Sequence, residues 1–353
     1  MKKWKSLVFA TGLIALVLGM ALSAIGIHSA GWNDIETAYG NVTSTEDIAE
    51  KDSQTIQKLA VDLDTKHVLI VPSLDDQIHI RSVVPKDQQK LIRHTITNGT
   101  LSIHEQTQQK QDIKISSGFA PLVDLIQHIQ ERNYNIIIQI PTRVTLESIH
   151  ANVLQGDIEF GNISSQKIMA TSGSGTIKLD STNFKNGTFT VDTGIIRLEE
   201  VSLNQANIQT SGRLDIFDSN LSKTQIKATY NSVYIKNTKL LESTVSNPDD
   251  MITVFQGQIN HSQLSTATGD IAFSNTSFTG NNTITSQQGD IQANLSQKAL
   301  KRLHLLAETK QGELTQPSDH ITDSPIYEQK VEQASGKLTL TSDTGDIQIT
   351  LED

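Results

Sequence analysis

A short glycine-led motif recurs along the second half of the chain at intervals of about nineteen residues. The first four copies are spaced by 19, 19 and 18 residues, and each glycine precedes a run that alternates apolar and polar residues. The copies begin at Gly156, Gly175, Gly194, Gly212, Gly269, Gly289 and Gly345, and four of them continue with an aspartate, at Asp157, Asp270, Asp290 and Asp346. Self-similarity at this period is typical of a solenoid, whose repeats bury their apolar faces by stacking on one another.

Apolar residues fall into columns when the repeats are aligned. The second residue after each glycine is apolar, which with period-two alternation indicates a strand with one buried face. This column contains Ile158, Ile177, Ile196, Leu214, Ile271, Ile291 and Ile347. A second column lies at a corner and includes Phe184 and Leu221. A third lies in the return strand and includes Ile168 and Ile208. We predict an all-β protein in which residues 151–353 form a parallel β-helix, or β-solenoid, of about ten rungs.

The corners between strands are expected to favour particular residue types. Glycine before each strand is expected because it tolerates positive φ, and aspartate because its carboxylate can accept hydrogen bonds from nearby amides. The polar stretch 315–335 lengthens one repeat, and it is either a tolerated insertion or a loop that contacts a partner.

Residues 55–150 read as a small N-terminal β-domain, because alternating apolar residues and turn signals recur along them. Phe119, Leu122 and Ile126 break this pattern with helical spacing, which predicts a short helix near residues 119–131. That helix either packs on the β-domain or contacts a partner or a membrane surface.

The N-terminus predicts a membrane anchor. Residues 6–27 are uncharged, and 22 residues at a rise of 1.5 Å span about 33 Å, enough for the hydrocarbon core. The lysines of residues 1–5 indicate a cytoplasmic tail, which places the bulk of the chain outside the cell. A cleaved signal peptide is the alternative, but its apolar stretch is usually shorter. Residues 28–54 are polar and are predicted to form a spacer.

Composition excludes several classes of function. The net charge of −10 argues against a nucleic-acid partner, and the absence of cysteine excludes disulfides and thiolate metal sites. The ten histidines show no metal-binding spacing, and no cofactor is predicted. Parallel β-helices also include carbohydrate-cleaving enzymes, but no pair of carboxylates is singled out here. No catalytic residue is therefore predicted.

One set of acidic residues is a candidate binding site. Stacking of the repeats would place Asp270, Asp290, Glu313 and Asp346 in a single column if the register persists through the insertion. Like charges one rung apart raise one another's pKa or recruit a cation, so this column could bind Ca²⁺ or a cationic peptide. Alternatively, each aspartate is a turn residue bonded to the backbone.

Three further segments carry a resemblance to a known family. They are Leu69-Ile70-Val71-Pro72-Ser73-Leu74-Asp75-Asp76, Asn98-Gly99-Thr100-Leu101-Ser102-Ile103 and Ile136-Ile137-Ile138-Gln139-Ile140-Pro141, together with the Ser/Thr-Gly-Asp-Ile repeats. From about residue 55 onward the chain resembles the bacterial putative-adhesin β-strand-repeat domain, a family of unknown function. Members with an N-terminal anchor are similar to proteins encoded with Lia-type cell-envelope stress systems of Gram-positive bacteria. The resemblance implies a surface-exposed, non-enzymatic role.

Three functional hypotheses follow. The first is a non-enzymatic envelope protein, a scaffold or modulator of stress signalling that acts through contacts with other envelope proteins. The second is an adhesin or glycan-binding surface, for which the repeats offer few aromatic residues beyond Tyr230 and Tyr234. The third is a glycan-degrading β-helix enzyme.

Overall fold

The computed structural model of the chain describes residues 41–85, 92–105, 135–317, 321–322 and 324–352. The predicted cytoplasmic tail, anchor and helix near residues 119–131 lie outside these ranges. Within them, no helix combines the length and the apolar character needed to cross a membrane.

The described residues form β-strands almost throughout, with two helices of four residues each. The elements up to the first regular repeats are β1 (Asn41–Ile48), α1 (Glu50–Ser53), β2 (Lys58–Leu63), β3 (Val68–Ser73), β4 (Ile78–Pro85), β5 (Ile92–Thr97), β6 (Thr100–Glu105), β7 (Ile136–Pro141), β8 (Leu146–Gln155), β9 (Ile158–Gly161), β10 (Ser164–Asp180) and β11 (Asn183–Glu199).

Short strands of three to five residues make up the centre of the molecule. They are β12 (Ser202–Asn204), β13 (Ala206–Thr210), β14 (Arg213–Phe217), β15 (Asn220–Ser222), β16 (Gln225–Ala228), β17 (Val233–Lys236), β18 (Lys239–Leu241), β19 (Thr244–Ser246), β20 (Ile252–Phe255), β21 (Gln258–Asn260), β22 (Gln263–Thr266) and β23 (Ile271–Ser274).

The C-terminal elements are more varied in length. They are β24 (Ser277–Ser286), β25 (Ile291–Ser296), α2 (Gln297–Leu300), β26 (Leu303–Thr309), β27 (Leu314–Thr315), β28 (Ile321–Thr322), β29 (Ile326–Gln329), β30 (Gly336–Ser342) and β31 (Ile347–Glu352). Two of these short strands, β28 and β29, lie in the stretch 315–335 that was predicted to be a loop.

The strands that follow the corner glycines stack into what we call the front sheet. Its spatial order is β1, β4, β7, β3, β9, β10, β11, β14, β17, β20, β23, β25, β31, β27 and β28. Pairing is parallel from β7 to β27 and antiparallel at both ends. Residues 151–353 supply ten of the parallel strands, which confirms the prediction of a β-solenoid of about ten rungs.

The return strands stack into the back sheet on the opposite side of the core. Its order is β5, β6, β2, β8, β10, β11, β13, β16, β19, β22, β24, β30, β26 and β29, with antiparallel pairs only at the two ends. A third, narrower stack links the two sheets at one corner through β10, β11, β12, β15, β18, β21 and β24.

The three predicted apolar columns are all buried between these sheets. Ile158, Ile177 and Ile196 of the front sheet and Phe189 and Ile208 of the back sheet have no exposed surface. Burying each such side chain contributes roughly 1.5–3 kcal/mol to stability. Because equivalent positions stack on one another, every rung adds a similar contribution. The buried hydrophobic residues form a single continuous cluster, so the solenoid has one core.

The residues before the regular repeats belong to the same sheets. Strands β2 and β3 pair in parallel with β8 and β9, so the predicted boundary at residues 150–151 does not separate two cores. Strand β1 lies within the predicted spacer 28–54 and pairs antiparallel with β4. The second half of that stretch is therefore part of the fold, and it begins with a largely polar strand at the edge of the sheet.

The rungs at both ends are stacked out of sequence order. At the N-terminal end, the rung formed by β2 and β3 lies between the rung of β6 and β7 and the rung of β8 and β9. At the C-terminal end, β30 and β31 lie between β24 and β25 on one side and β26 and β27 on the other. The C-terminal strand β31 is thus held inside the stack, whereas the N-terminal strand β1 lies at the outer edge of the front sheet.

Two corners of the central rungs use a left-handed backbone at residues other than glycine. At the first corner φ is between 48° and 55° in Asn162, Ser181, Glu200, Asp218, Asn237, Gln256 and Asn275, and at the second it is between 49° and 60° in Gln205, Lys223, Glu242 and His261. Their amides bond to the neighbouring rung; the Asn237 N–H, for example, donates to Phe255 O at 2.9 Å. Tight inter-rung pairing therefore imposes a conformation that costs roughly 1–2 kcal/mol at a non-glycine residue.

Replacing Gln256 with glycine is expected to stabilise the protein. Gln256 is exposed and has φ of 55°, so glycine would relieve a penalty of roughly 1–2 kcal/mol and lose roughly 0.5–1 kcal/mol of backbone entropy. The expected net gain is about 0.5–1 kcal/mol, measured as an increase in the urea midpoint. The matched control is Gln258→Gly in β21, which is expected to destabilise by about 0.5–1 kcal/mol. Equal losses in both variants would contradict the prediction.

Candidate functional site

The corner glycines are required by the close approach of neighbouring rungs. A methyl group at Gly289 would lie 2.1 Å from the carbonyl oxygen of Gly269, and one at Gly345 would lie 2.2 Å from that of Gly289. Among the corner glycines, only Gly175 and Gly194 have positive φ, of 150° and 146°. The expectation that positive φ explains the glycines is thus wrong for the other corners, where backbone contact between rungs excludes a side chain.

A buried hydroxyl completes many of these corners. Ser172 Oγ donates to Gly156 O at 2.9 Å, and Thr309 Oγ1 donates to Gly345 O at 3.0 Å. Thr309 Oγ1 also accepts from the Gly312 N–H at 3.0 Å, and Ser342 Oγ, which donates to Gly289 O at 3.3 Å, accepts from the Gly345 N–H at 2.9 Å. The recurring unit is therefore Ser/Thr-x-x-Gly, in which one hydroxyl connects its own glycine to the glycine of the next rung.

The acidic residues after the glycines lie in one row along an edge of the front sheet. The strand register places Asp270 beside Asp290, Asp290 beside Asp346, and Asp346 beside Glu313. Glu313 precedes Asp346 in the sequence but lies at the end of the row, because β31 lies between β25 and β27 in the front sheet. Asp157 occupies the equivalent position six rungs before Asp270, beside Thr176.

The carboxylates of this row bond to the backbone of the adjacent rung. The Asp290 N–H donates to Asp270 Oδ1 at 2.8 Å, the Asp346 N–H to Asp290 Oδ1 at 2.8 Å, and the Glu313 N–H to Asp346 Oδ1 at 2.7 Å. In the part of the chain that the structure describes, no group of three or more His, Asp or Glu side chains is arranged so that it could hold a metal ion. This geometry matches a structural role for each aspartate, and binding of a cation or cationic peptide by the row stays a prediction.

Asp157 is bonded in the same way and also has a histidine partner. It accepts a hydrogen bond from the Thr176 N–H at 2.7 Å, and its Oδ2 lies 3.0 Å from His67 Nδ1. The contact with His67 and the bond from Thr176 together lower the pKa of Asp157. The negative charge of this carboxylate therefore helps to join β3 to the first regular rungs.

A second candidate site is a group of partly exposed aromatic and basic side chains on the outer surface of the front sheet. We call the outward residues of β11, β14, β17 and β20 that surround Phe217, Tyr234 and Phe255 the aromatic face. The Phe217 and Tyr234 rings are 5.8 Å apart, with the Arg197 guanidinium 5.0 Å from the Phe217 ring. The Lys236 ammonium lies 5.9 Å from the Phe255 ring. These contacts form one surface that crosses four rungs.

Exposed apolar residues border the aromatic face along one edge. Ile195 and Met251 lie in the row that continues into Asp270, and their exposed fractions are 38% and 39%. Tyr230, just before β17, is 68% exposed. On the next rungs, the outward positions hold small or polar residues instead, namely Ala272, Ser274, Gln292, Asn294, Gln348 and Thr350. The aromatic face is therefore a local feature of the central rungs.

Sequence reasoning identified Tyr230 and Tyr234 but missed Phe217 and Phe255. Both phenylalanines directly follow a buried residue of the front sheet, Ile216 and Val254. The period-two alternation thus places them outward, and the repeat register places them two rungs apart in one row. The two phenylalanines can therefore be found in the sequence when the outward positions of the repeats are aligned in the same way as the core positions.

The comparisons with known proteins place this architecture in a family. The model of the family described as Toastrack DUF4097 matches residues 56–350, which is more than half of the chain. Among curated proteins, none matches the chain.

Solved structures with low similarity also exist. A putative cell adhesion protein from Clostridium sporogenes is 10% identical, with 88% of this chain and 100% of that chain covered and a TM-score of 0.25. For a putative adhesin from Bacteroides fragilis the identity is 11%, the coverage 89% and 98%, and the TM-score 0.38. A putative lipid binding protein from Parabacteroides distasonis is 12% identical, with coverage of 89% and 98% and a TM-score of 0.43. These TM-scores are too low to support an inference about this chain.

Substitutions at Asp290 are expected to separate its role as a hydrogen-bond acceptor from its charge. Asp290→Asn keeps an oxygen for the Asp346 amide and removes one of several adjacent negative charges, so stability should be unchanged or slightly higher. Asp290→Ala removes the acceptor and is expected to cost about 1–2 kcal/mol in urea unfolding. The control is Asp192→Ala at an exposed position, expected within about 0.5 kcal/mol of the wild type. If Asp290→Asn lost as much stability as Asp290→Ala, the charge itself would be essential.

Proposed function

The chain belongs to the Toastrack DUF4097 family, and from the surface that its fold exposes we propose that it is a non-enzymatic protein of the cell envelope that acts by binding other envelope proteins. The aromatic face is the proposed binding surface. The single observation that carries this proposal is the grouping of Phe217, Tyr234 and Phe255 with two cations on the solvent side of a sheet.

The composition of the aromatic face is that of a protein-binding surface. Aromatic residues, methionine and arginine are enriched at protein interfaces, and the residues that dominate binding energy are most often Trp, Tyr and Arg. Here Arg197 and Tyr234 lie within one patch with Met251 at its edge. A partner that covered these rings would bury apolar area now in contact with water.

Charged side chains on this surface form pairs of opposite sign rather than a cluster of one sign. Arg197 lies 3.2 Å from Glu199, and Arg213 lies 2.8 Å from the largely buried Asp215. A surface with paired charges around exposed rings favours a partner that contributes apolar side chains over a strongly charged polymer.

The rigidity of the solenoid supports the same proposal. Each strand under the aromatic face is hydrogen-bonded to a neighbour on both sides, through β11, β14, β17, β20 and β23. Side chains presented by such a backbone lose little conformational entropy on binding, which favours affinity.

The proposed location is the outer surface of the cell membrane. The uncharged stretch 6–27 would hold the chain in the bilayer, with Lys2, Lys3 and Lys5 on the cytoplasmic side and the solenoid outside. The resemblance to proteins encoded with Lia-type systems supports a role as a scaffold or modulator of envelope-stress signalling. Binding through the aromatic face would be the means by which the protein acts in that role.

A photo-crosslinking amino acid at Thr253 is expected to capture a protein partner in intact cells. Thr253 lies beside Tyr234 on the aromatic face, and Gln348, three rungs further along the same row, is the matched control. Phe217→Thr and Tyr234→Thr keep strand propensity, and each is expected to cost about 2 kcal/mol of binding, a loss of about thirtyfold in affinity.

Three results would decide against the proposal. An equal yield at Gln348 would mean that capture is non-specific, and capture undiminished by the two threonine variants would place the partner elsewhere. An adduct removed by glycosidases but not by proteases would favour the alternative, an adhesin that binds glycans. Circular dichroism and urea unfolding of the variants would show that the solenoid is intact.

Fractionation is expected to place the full chain in the membrane. It should resist an alkaline carbonate wash, and external protease should remove the solenoid from intact cells. Replacing residues 6–27 with a cleavable signal sequence is expected to release the solenoid into the medium. Recovery of the natural chain in the medium with a processed N-terminus would favour the signal-peptide alternative.

A further inference from the structure

A histidine at the N-terminal end of the solenoid joins two separate acidic residues. In the side chain of His79, on β4, Nδ1 lies 2.6 Å from Asp47 Oδ1 of β1, and Nε2 lies 2.8 Å from Asp75 Oδ1 of the turn between β3 and β4. The His79 side chain is only 14% exposed. We call this three-residue contact the His79 bridge.

The two distances determine which form of the ring fits. A carboxylate oxygen can only accept hydrogen bonds, and a neutral imidazole has a single N–H to donate. Both contacts are therefore hydrogen bonds only when the ring is doubly protonated and positively charged. In the neutral ring, one nitrogen lone pair would face a carboxylate at a distance of less than 3 Å.

The other charged groups around the bridge are already engaged. On β1, Glu46 Oε2 lies 2.7 Å from His94 Nδ1 of β5, and in the β3–β4 turn Asp76 Oδ2 lies 3.0 Å from the Arg143 guanidinium. The residue opposite His79 on β7 is the uncharged Gln139. Arg81, two positions along β4, is exposed. The two carboxylates of Asp47 and Asp75 are thus the groups that the His79 ring contacts directly.

We propose that the docking of β1 onto the solenoid is controlled by pH through protonation of His79. Among the residues that the structure describes, β1 is the outermost strand of the front sheet, and it pairs along its whole length with β4. Besides this ladder, β1 is retained by the burial of Ile48, whose carbonyl accepts a hydrogen bond from Ser53 Oγ at 3.0 Å, by the Glu46–His94 pair and by the His79 bridge. Loss of the ring proton converts one attractive contact of the bridge into a repulsive one.

The direction of the pH effect follows from the bonding. The hydrogen bond to Asp47, with a further one to Asp75, raises the pKa of His79 against the opposing effect of burial. A raised pKa means that the stabilisation is complete below about pH 6.5 and is lost as the pH rises through the value in the docked state. The backbone N–H of Gln77 and the contact with His79 lower the pKa of Asp75 to about 2. The Asp75 carboxylate therefore stays charged, and can accept the bond from His79, until the pH is strongly acidic.

Release of β1 would change how far the solenoid can stand from the membrane. This consequence rests on the proposed anchor at residues 6–27, whereas the docking itself does not. Strand β1 has 8 residues, which at about 3.3 Å each would add roughly 26 Å to the connection. An alkaline environment would thereby move the aromatic face outward.

Hydrogen exchange on the full chain in detergent tests the proposal without any partner or membrane. Protection factors of the β1 amides, corrected for intrinsic rates, are expected to decrease as the pH rises from about 5.5 to 8.5. The decrease should be roughly tenfold for each unit by which docking raises the pKa of His79. Amides of β10 should show no such change. Constant protection of β1 in the wild-type chain would overturn the proposal, whatever the outcome of the membrane and crosslinking experiments.

Variants of the histidine make the test specific. His79→Gln is neutral at every pH and is expected to give weaker protection of β1, with a smaller dependence on pH than in the wild type. His304→Gln is the matched control, because His304 pairs with Glu328 through one nitrogen at the opposite end of the solenoid, and it should leave the response of β1 unchanged. A pH response of β1 that was undiminished in His79→Gln would assign the effect to another group and reject the proposal.

Discussion

Parallel hydrogen bonding between successive rungs is the constraint on which the rest of this structure depends. It fixes neighbouring backbones about 4.8 Å apart, so whatever occupies a position in one rung must fit directly against its equivalent in the next. Glycine follows from this spacing at the corners where the neighbouring backbone leaves no room for a Cβ atom, as at Gly289 against Gly269. So do the hydroxyls that connect one corner carbonyl to the next amide, and the left-handed residues whose amides must reach the following rung.

The same constraint organises the surface, where its effect depends on the chemistry of the side chain. Carboxylates brought into one row repel one another, and here each of three aspartates directs an oxygen to the amide of the next rung, which offsets part of that repulsion. Aromatic rings brought together attract one another instead, and cations can lie over them, as Arg197 does over Phe217. A solenoid can thus gather weakly repeating residues into a coherent binding surface without any change of backbone.

The core could be predicted from the sequence because it depends on local periodicity, and the family was indicated by the resemblance of particular segments and of the glycine-led repeats. The apolar columns led by Ile158 needed only the period of two and the repeat length. The left-handed corners could not be found in this way, since Glu200, Lys223 and Gln256 have no preference for that backbone and adopt it because inter-rung hydrogen bonds outweigh the cost. The order of the end rungs was also hidden, because it depends on pairing between residues distant in sequence. Strand β1 was missed because a polar edge strand leaves no hydrophobic pattern.

The ends of a stack pose a different problem from its middle, since an open sheet edge invites further pairing. This chain closes each end with an inserted rung and antiparallel strands, and both closures include a histidine–carboxylate contact, His79 with Asp47 and His304 with Glu328. The middle is held by apolar contacts and backbone bonds that do not titrate over physiological pH. Five strands of the front sheet separate β1 from β11, where the aromatic face begins. On the proposed mechanism, protonation at the N-terminal end alters the connection of the solenoid to the preceding segment while the aromatic face, the proposed binding surface, keeps one geometry.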